Sequence, residues 1–246
     1  MGKPRQKFDT SKESKDDQVV LARKKFNVGD LVPFNPLTST QKTFVQFYED
    51  GYPLIVASGF AGTGKTMCSL SLAFREALEE NKKVIIVRSM VQGRDMGFMP
   101  GDLNEKMAVF EPVYRGIISD IFKYNDPYDN LKKLGYLEFH STSFLRGSTF
   151  DNAVVVVDEY QNMDYQELYS VITRIGENSR IILCGDVRQE DLGRGRNKLL
   201  TGANKLHDVV SKMDDDWAVS IEFGIDDIVR SGLVKQFIIA DSKVSN

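Results

Sequence analysis

Past residue 35 the chain alternates short β-branched apolar runs with longer stretches of helical periodicity. The runs Leu54–Ser58, Val84–Arg88, Leu137–Ser141, Ala153–Val157, Arg180–Cys184 and Val219–Phe223 predict strands. Several are apolar at successive positions, which suits parallel strands covered on both faces. Between them, Thr40–Glu49, Lys65–Asn81, Asp102–Phe122 and Asp164–Ile175 predict helices, and Asp226–Ala240 predicts a terminal helical segment broken near Ser231–Gly232. Strands alternating with helices predict an α/β domain with a mainly parallel sheet. The pattern shows no internal repeat and no long Pro-, Gly- or Ser-rich linker.

Composition changes that picture only at the N-terminus. With 246 residues and 27% charged side chains the chain is ordinary globular material, and neither disorder throughout nor a collagen-like repeat fits it. Residues 1–25 carry eight Lys/Arg against four acids, a local +4, so the net −3 leaves −7 on the rest. The expected organisation is a basic, flexible arm over residues 1–30 and one domain over 31–246. The arm reads as a solvated extension or as a tether for nucleic acid or a partner. Two cysteines, Cys68 and Cys184, make neither a disulfide framework nor a zinc cage alone. No apolar run is long enough to cross a bilayer, and the polar Met1–Gln18 lacks the apolar region of a secretion signal. The expectation is a cytoplasmic protein without a membrane partner.

The candidate chemistry begins at Gly59-Phe60-Ala61-Gly62-Thr63-Gly64-Lys65-Thr66, a glycine, four residues, then Gly-Lys-Thr, after a strand and before a helix. Glycines let backbone N–H groups turn inward on a phosphate, and the helix N-terminus adds its dipole to the same anion site. The loop residues, with Met67 behind them, are therefore expected to bind ATP. Lys65 would reach the β- and γ-phosphates, and Thr66 would ligate Mg²⁺. Val154-Val155-Val156-Val157-Asp158-Glu159 is a buried strand ending in two carboxylates, where parallel strands open on a ligand crevice. Asp158 is expected at the metal and Glu159 as the group that orients or deprotonates a water. The alternative is two acids capping the next helix. Gln189, after the strand ending at Cys184, is a candidate γ-phosphate sensor. Gln41, after Asn35-Pro36-Leu37-Thr38-Ser39-Thr40, reads either as an adenine contact or as an exposed helix start.

These residues, with Asp158-Glu159-Tyr160-Gln161-Asn162 and Gly185-Asp186-Val187-Arg188-Gln189, resemble the PhoH-like family of ATPases, which is related to superfamily-one helicases. Met99–Lys106, Phe144–Thr149, Thr173–Gly176 and Asp227–Val234 resemble further stretches of that family, so the resemblance covers roughly residues 35–240. It implies a P-loop NTPase fold with a RecA-like sheet, ATP and Mg²⁺ as cofactors, and action on RNA or single-stranded DNA. Compact size and the basic arm are similar to phage-encoded members, which implies the host cytoplasm. Tyr160 stands where the family usually has Ala, and Ser231-Gly232 where it often has His-Pro; neither change removes a catalytic group. Some relatives carry a fused nuclease-type or RNA-binding domain, and the resemblance implies the ATPase module alone here.

Arg94, Phe98 and Lys106 fall in a glycine-rich stretch that reads as a nucleic-acid contact or as a structured connection. Arg88 and Arg146, at strand or loop ends, read as phosphate, nucleic-acid or interface contacts, or as structural ion pairs. Tyr114, Phe122, Tyr124 and Tyr128 read as packing residues. One α/β domain lacks the second motor half of a superfamily-one helicase, so a ring, taken as a hexamer with nucleotide at subunit interfaces, is expected. Arg230 is the candidate arginine finger, in its own or a neighbour's site; the alternatives are an ion pair with Asp226 or Asp227, or Arg174 as the finger. Three classes stay open: a nucleic-acid-coupled ATPase, an ATPase switch acting on a protein, and a small-molecule kinase, the last opposed by Glu159.

Overall fold

A computed structural model describes residues 25–89, 109–142, 145, 147, 149–186 and 202–244. The arm's residues 1–24 and the candidates Arg94, Phe98, Lys106, Arg146 and Gln189 lie outside the described residues.

Six strands form one sheet, all neighbours parallel: β1 (Leu54–Gly59), β2 (Lys83–Arg88), β3 (Leu137–Ser141), β4 (Ala153–Asp158), β5 (Arg180–Gly185) and β6 (Ala218–Phe223), in the order β3-β2-β4-β5-β1-β6. The continuous apolar runs are explained by two cores. Ile55, Val84, Ile86, Val154, Val156 and Ile182 face one side, and Val56, Ile85, Val87, Val155, Val157 and Leu183 the other. Burying each such side chain stabilises the fold by roughly 1.5–3 kcal/mol. The first side is covered by α1 (Ser39–Glu49), α2 (Lys65–Glu80), α3 (Glu111–Ile121) and α4 (Tyr128–Lys133). The second is covered by α5 (Tyr165–Ile172) and α6 (Gly202–Val210). The chain closes with α7 (Gly232–Val244).

Several helices differ from the sequence expectation. α3 is described only from Glu111, with a proline in its first turn. α5 begins on a capping box, Asp164 with Glu167, and ends at Ile172 because Gly176 N–H returns to Phe150 as a bridge to β4's entry. α4 and α6 are short helices that the apolar periodicity did not mark. The predicted segment from Asp226 is instead a single 3-10 turn, Ile225–Asp227, and then coil until Gly232. The packed domain also starts earlier than residue 31: Phe26 is buried edge-on against Phe122, Tyr124 and Tyr136.

Register sets the functional end. Arg88 pairs with Asp158, Asp158 with Cys184, Ser58 with Gly185, and Gly59 with Phe223. The C-terminal ends of five strands therefore share one edge, where an open parallel sheet presents its ligand crevice.

Candidate active site

The loop between β1 and α2 is shaped by close approaches. Gly59 has φ +124°, and a Cβ there would lie 2.1 Å from the carbonyl oxygen of Phe223 on β6. Gly62 has φ +74°, and its Cβ would lie 2.7 Å from Arg230 Cγ. Both positions reject any side chain, on conformation and on space. Phe60 N–H donates to Phe223 O at 3.0 Å and Val229 N–H to Gly62 O at 3.0 Å, so β6 and the following coil clamp the loop.

Lys65 turns its ammonium into this loop. Nζ donates to Gly59 O and Phe60 O, each at 2.8 Å, and to Thr63 Oγ1 at 3.3 Å. Burial lowers its pKa, and the nearby carboxylates of Asp186, Glu159 and Asp158 oppose that shift. Gln41 stands behind the loop rather than in the cleft. Its amide donates to Thr63 O at 2.9 Å and accepts from Leu37 N–H at 2.7 Å, and it is 2% exposed. It braces α1's entry against the phosphate loop, and the exposed helix start weighed for it is not found.

Across the cleft, Thr66 Oγ1 donates to Asp158 Oδ1 at 2.8 Å and Tyr114 Oη donates to Asp158 Oδ2 at 2.8 Å. Glu159 follows with φ +55° and ψ +42°, a left-handed conformation that few non-glycine residues adopt and that clusters at functional sites. Its carboxylate accepts from Gln161 Nε2 at 2.5 Å, and Gln161 Oε1 accepts Asp186 N–H at 3.0 Å. Gln161 therefore ties the ends of β4 and β5 together. Burial raises the Glu159 pKa, the Asp158 charge adds to this, and the Gln161 bond, Arg88 and Lys65 oppose it.

Lys65, Thr66, Arg88, Asp158, Glu159, Asp186 and Arg230 line one cleft of about 600 Å³, with Ala61, Gly62, Gly64 and Met67 along its loop side. That volume suits a nucleotide-sized ligand. Arg88, read from the sequence as a phosphate, nucleic-acid or interface contact or a structural ion pair, lines this cleft, its guanidinium 4.7 Å over the Phe110 ring. Arg174 is elsewhere. Its Nη1 folds back on Ser170 near the end of α5, and the residue does not line the cleft. The ion pair weighed for Arg230 is not formed: Asp227 Oδ2 accepts from Gly224 N–H instead, because the 3-10 turn ends before Arg230. Tyr160 fills space that a smaller residue would leave open, its hydroxyl 2.8 Å from His207 Nε2 on α6.

The residues fit a nucleotide with Mg²⁺. The loop is a cradle that a Cβ would fill, and one hydroxyl with one carboxylate in contact offers the hard oxygen donors that Mg²⁺ takes alongside water and phosphate. Sequence reasoning missed Tyr114 and Gln161. Tyr114 sits at the helical spacing of core residues and shows no sign of its contact, whereas Gln161 is only three residues beyond Asp158.

The family described as "PhoH-like protein" matches residues 33–241. The chain is 34% identical over 236 residues to "Protein PhoH" of Escherichia coli K12, covering 94% of this chain and 61% of that protein. It is 34% identical over 194 residues to a PhoH-like protein of Bacillus subtilis 168, covering 77% and 58%. A PhoH-like protein of Mycobacterium tuberculosis H37Rv is 32% identical over 211 residues, covering 83% and 57%. The chain thus spans about 60% of the length of these relatives. Among solved structures, a Pif1 helicase of Candida albicans aligns with TM-score 0.42 at 14% identity over 87% of this chain and 45% of that one, too distant to bear on function.

Proposed function

The chain belongs to the PhoH-like family, and on that premise we propose that it is a Mg²⁺-dependent ATP hydrolase that couples hydrolysis to binding or unwinding of RNA or single-stranded DNA, working as a ring, taken as a hexamer. One observation carries the hydrolase reading: Lys65, Thr66, Asp158 and Glu159 meet at one cleft on a loop built for phosphate. Mg²⁺, when bound, neutralises charge on the phosphate oxygens, and Thr66 with Asp158 would hold it. Lys65 exchanges its loop carbonyls for the β- and γ-phosphates, which offer charge-assisted bonds in their place. Glu159 takes a proton from a water, and its raised pKa brings it closer to neutral working pH than an ordinary carboxylate. Gln161 fixes that carboxylate. Arg230 meets negative charge developing on the γ-phosphate, and its stem already rests on Gly62.

A second reading, an ATPase switch acting on a protein partner, is favoured by α7. Directly beyond Arg230 it leaves Leu233 82% and Phe237 71% exposed. The discriminating experiment is ATPase rate with and without poly-RNA or single-stranded DNA, together with mass by light scattering. Stimulation by nucleic acid supports the first reading. No stimulation by either polymer would contradict it and favour the second.

A further inference from the structure

Tyr114 is fully buried on the stripe Tyr114, Ile118, Ile121 of α3, with its ring 5.2 Å from Phe139. A tyrosine so placed would serve the core equally well as phenylalanine, yet its hydroxyl is committed to the cleft. It donates to Asp158 Oδ2 at 2.8 Å, and Arg88 Nη1 donates to the Tyr114 hydroxyl oxygen at 3.4 Å. The phenol is the donor in its bond to Asp158, because an ionised carboxylate oxygen only accepts.

Asp158 is consequently held at both oxygens, by Thr66 on Oδ1 and by Tyr114 on Oδ2. A carboxylate held at one oxygen can rotate about its Cβ–Cγ bond; one held at both cannot. We propose that Tyr114 is the positioning residue that fixes the Asp158 carboxylate for the cation accompanying the nucleotide, with Arg88 holding the phenol in turn. The proposal rests on the nucleotide reading above, but it concerns a residue that touches neither nucleotide nor cation. Outer groups that orient a metal ligand typically change metal affinity by about 10–100-fold when removed.

The test is binding rather than turnover. A fluorescent, non-hydrolysable ATP analogue is titrated onto the full chain at a series of Mg²⁺ concentrations and again in EDTA, for the wild type, Tyr114→Phe and Phe139→Leu. Tyr114→Phe should fold and melt close to the wild type and bind the analogue in EDTA as the wild type does. Its Mg²⁺ midpoint should rise by about tenfold. Phe139→Leu perturbs the same packing without touching the hydroxyl, and its Mg²⁺ midpoint should stay with the wild type. An unchanged midpoint in Tyr114→Phe would overturn the proposal, as would an equal rise in Phe139→Leu. A wild type whose affinity does not respond to Mg²⁺ would overturn the nucleotide reading itself, and this proposal with it.

Discussion

Arg230 lies across Gly62 of its own chain, its Cγ 2.7 Å from where a Gly62 Cβ would stand, while the neighbouring Val229 N–H donates to Gly62 O at 3.0 Å. The coil beyond β6 is thereby fastened to the phosphate loop, and the arginine enters the cleft of the subunit that carries it.

That placement favours action in cis. Arg230→Ala should lower kcat by about 10³-fold or more while leaving nucleotide affinity within a few-fold. Mixing Arg230→Ala with Lys65→Ala subunits should restore nothing, because neither subunit would own a complete site. Recovered ATPase activity in mixed oligomers would show that the finger crosses an interface instead.

The raised Glu159 pKa has a defined sign in the pH profile. The proposed base would work only when deprotonated, so activity should fall as pH drops through its pKa. With that pKa above the ordinary 4.5, the acid limb of kcat/KM should lie above the usual carboxylate range. Glu159→Gln should abolish that limb along with most of the rate. An acid limb at the ordinary glutamate value would show that the cleft does not shift this group in the working enzyme.

Far from the cleft, Glu76 accepts from Lys82 Nζ at 2.7 Å and from Tyr48 Oη at 2.5 Å, and Arg180 Nε lies 3.1 Å from it. Glu76 and Lys82 are both buried. Glu76→Leu should cost about 2–3 kcal/mol, less than a wholly unpaired buried charge, since buried Lys82 keeps Glu80 at 2.9 Å while partly buried Arg180 loses this carboxylate. In a domain of this size that lowers Tm by on the order of 10 °C. Calorimetry checks it, and the Mg²⁺ midpoint of nucleotide binding should not move.

Much of this was legible in the sequence because it is local. Gly59–Thr66 and the run Val154–Glu159 each encode an element and its chemistry within a few consecutive residues. What stayed hidden depends on approach between distant elements. Tyr114 reads as core by spacing, and only the seating of α3 on the first face of the sheet brings its hydroxyl to Asp158. Arg88 reads as a loop-end cation, and the register pairing it with Asp158 is what sets it in the cleft. Gln41 offers an amide to any partner, and the nearness of Thr63 and Leu37 decides which it takes. The six-residue helix α4 is too brief for periodicity to declare it.

ATP hydrolysis in this cleft, as proposed, depends on Glu159 as the base. Phosphate release from Mg²⁺-ATP by wild type and Glu159→Gln, with nucleotide binding measured on the same samples, tests it most directly. The wild type should release phosphate steadily, and the variant should bind ATP as tightly but release phosphate at least about 100-fold more slowly. Release by Glu159→Gln at the wild-type rate would contradict it.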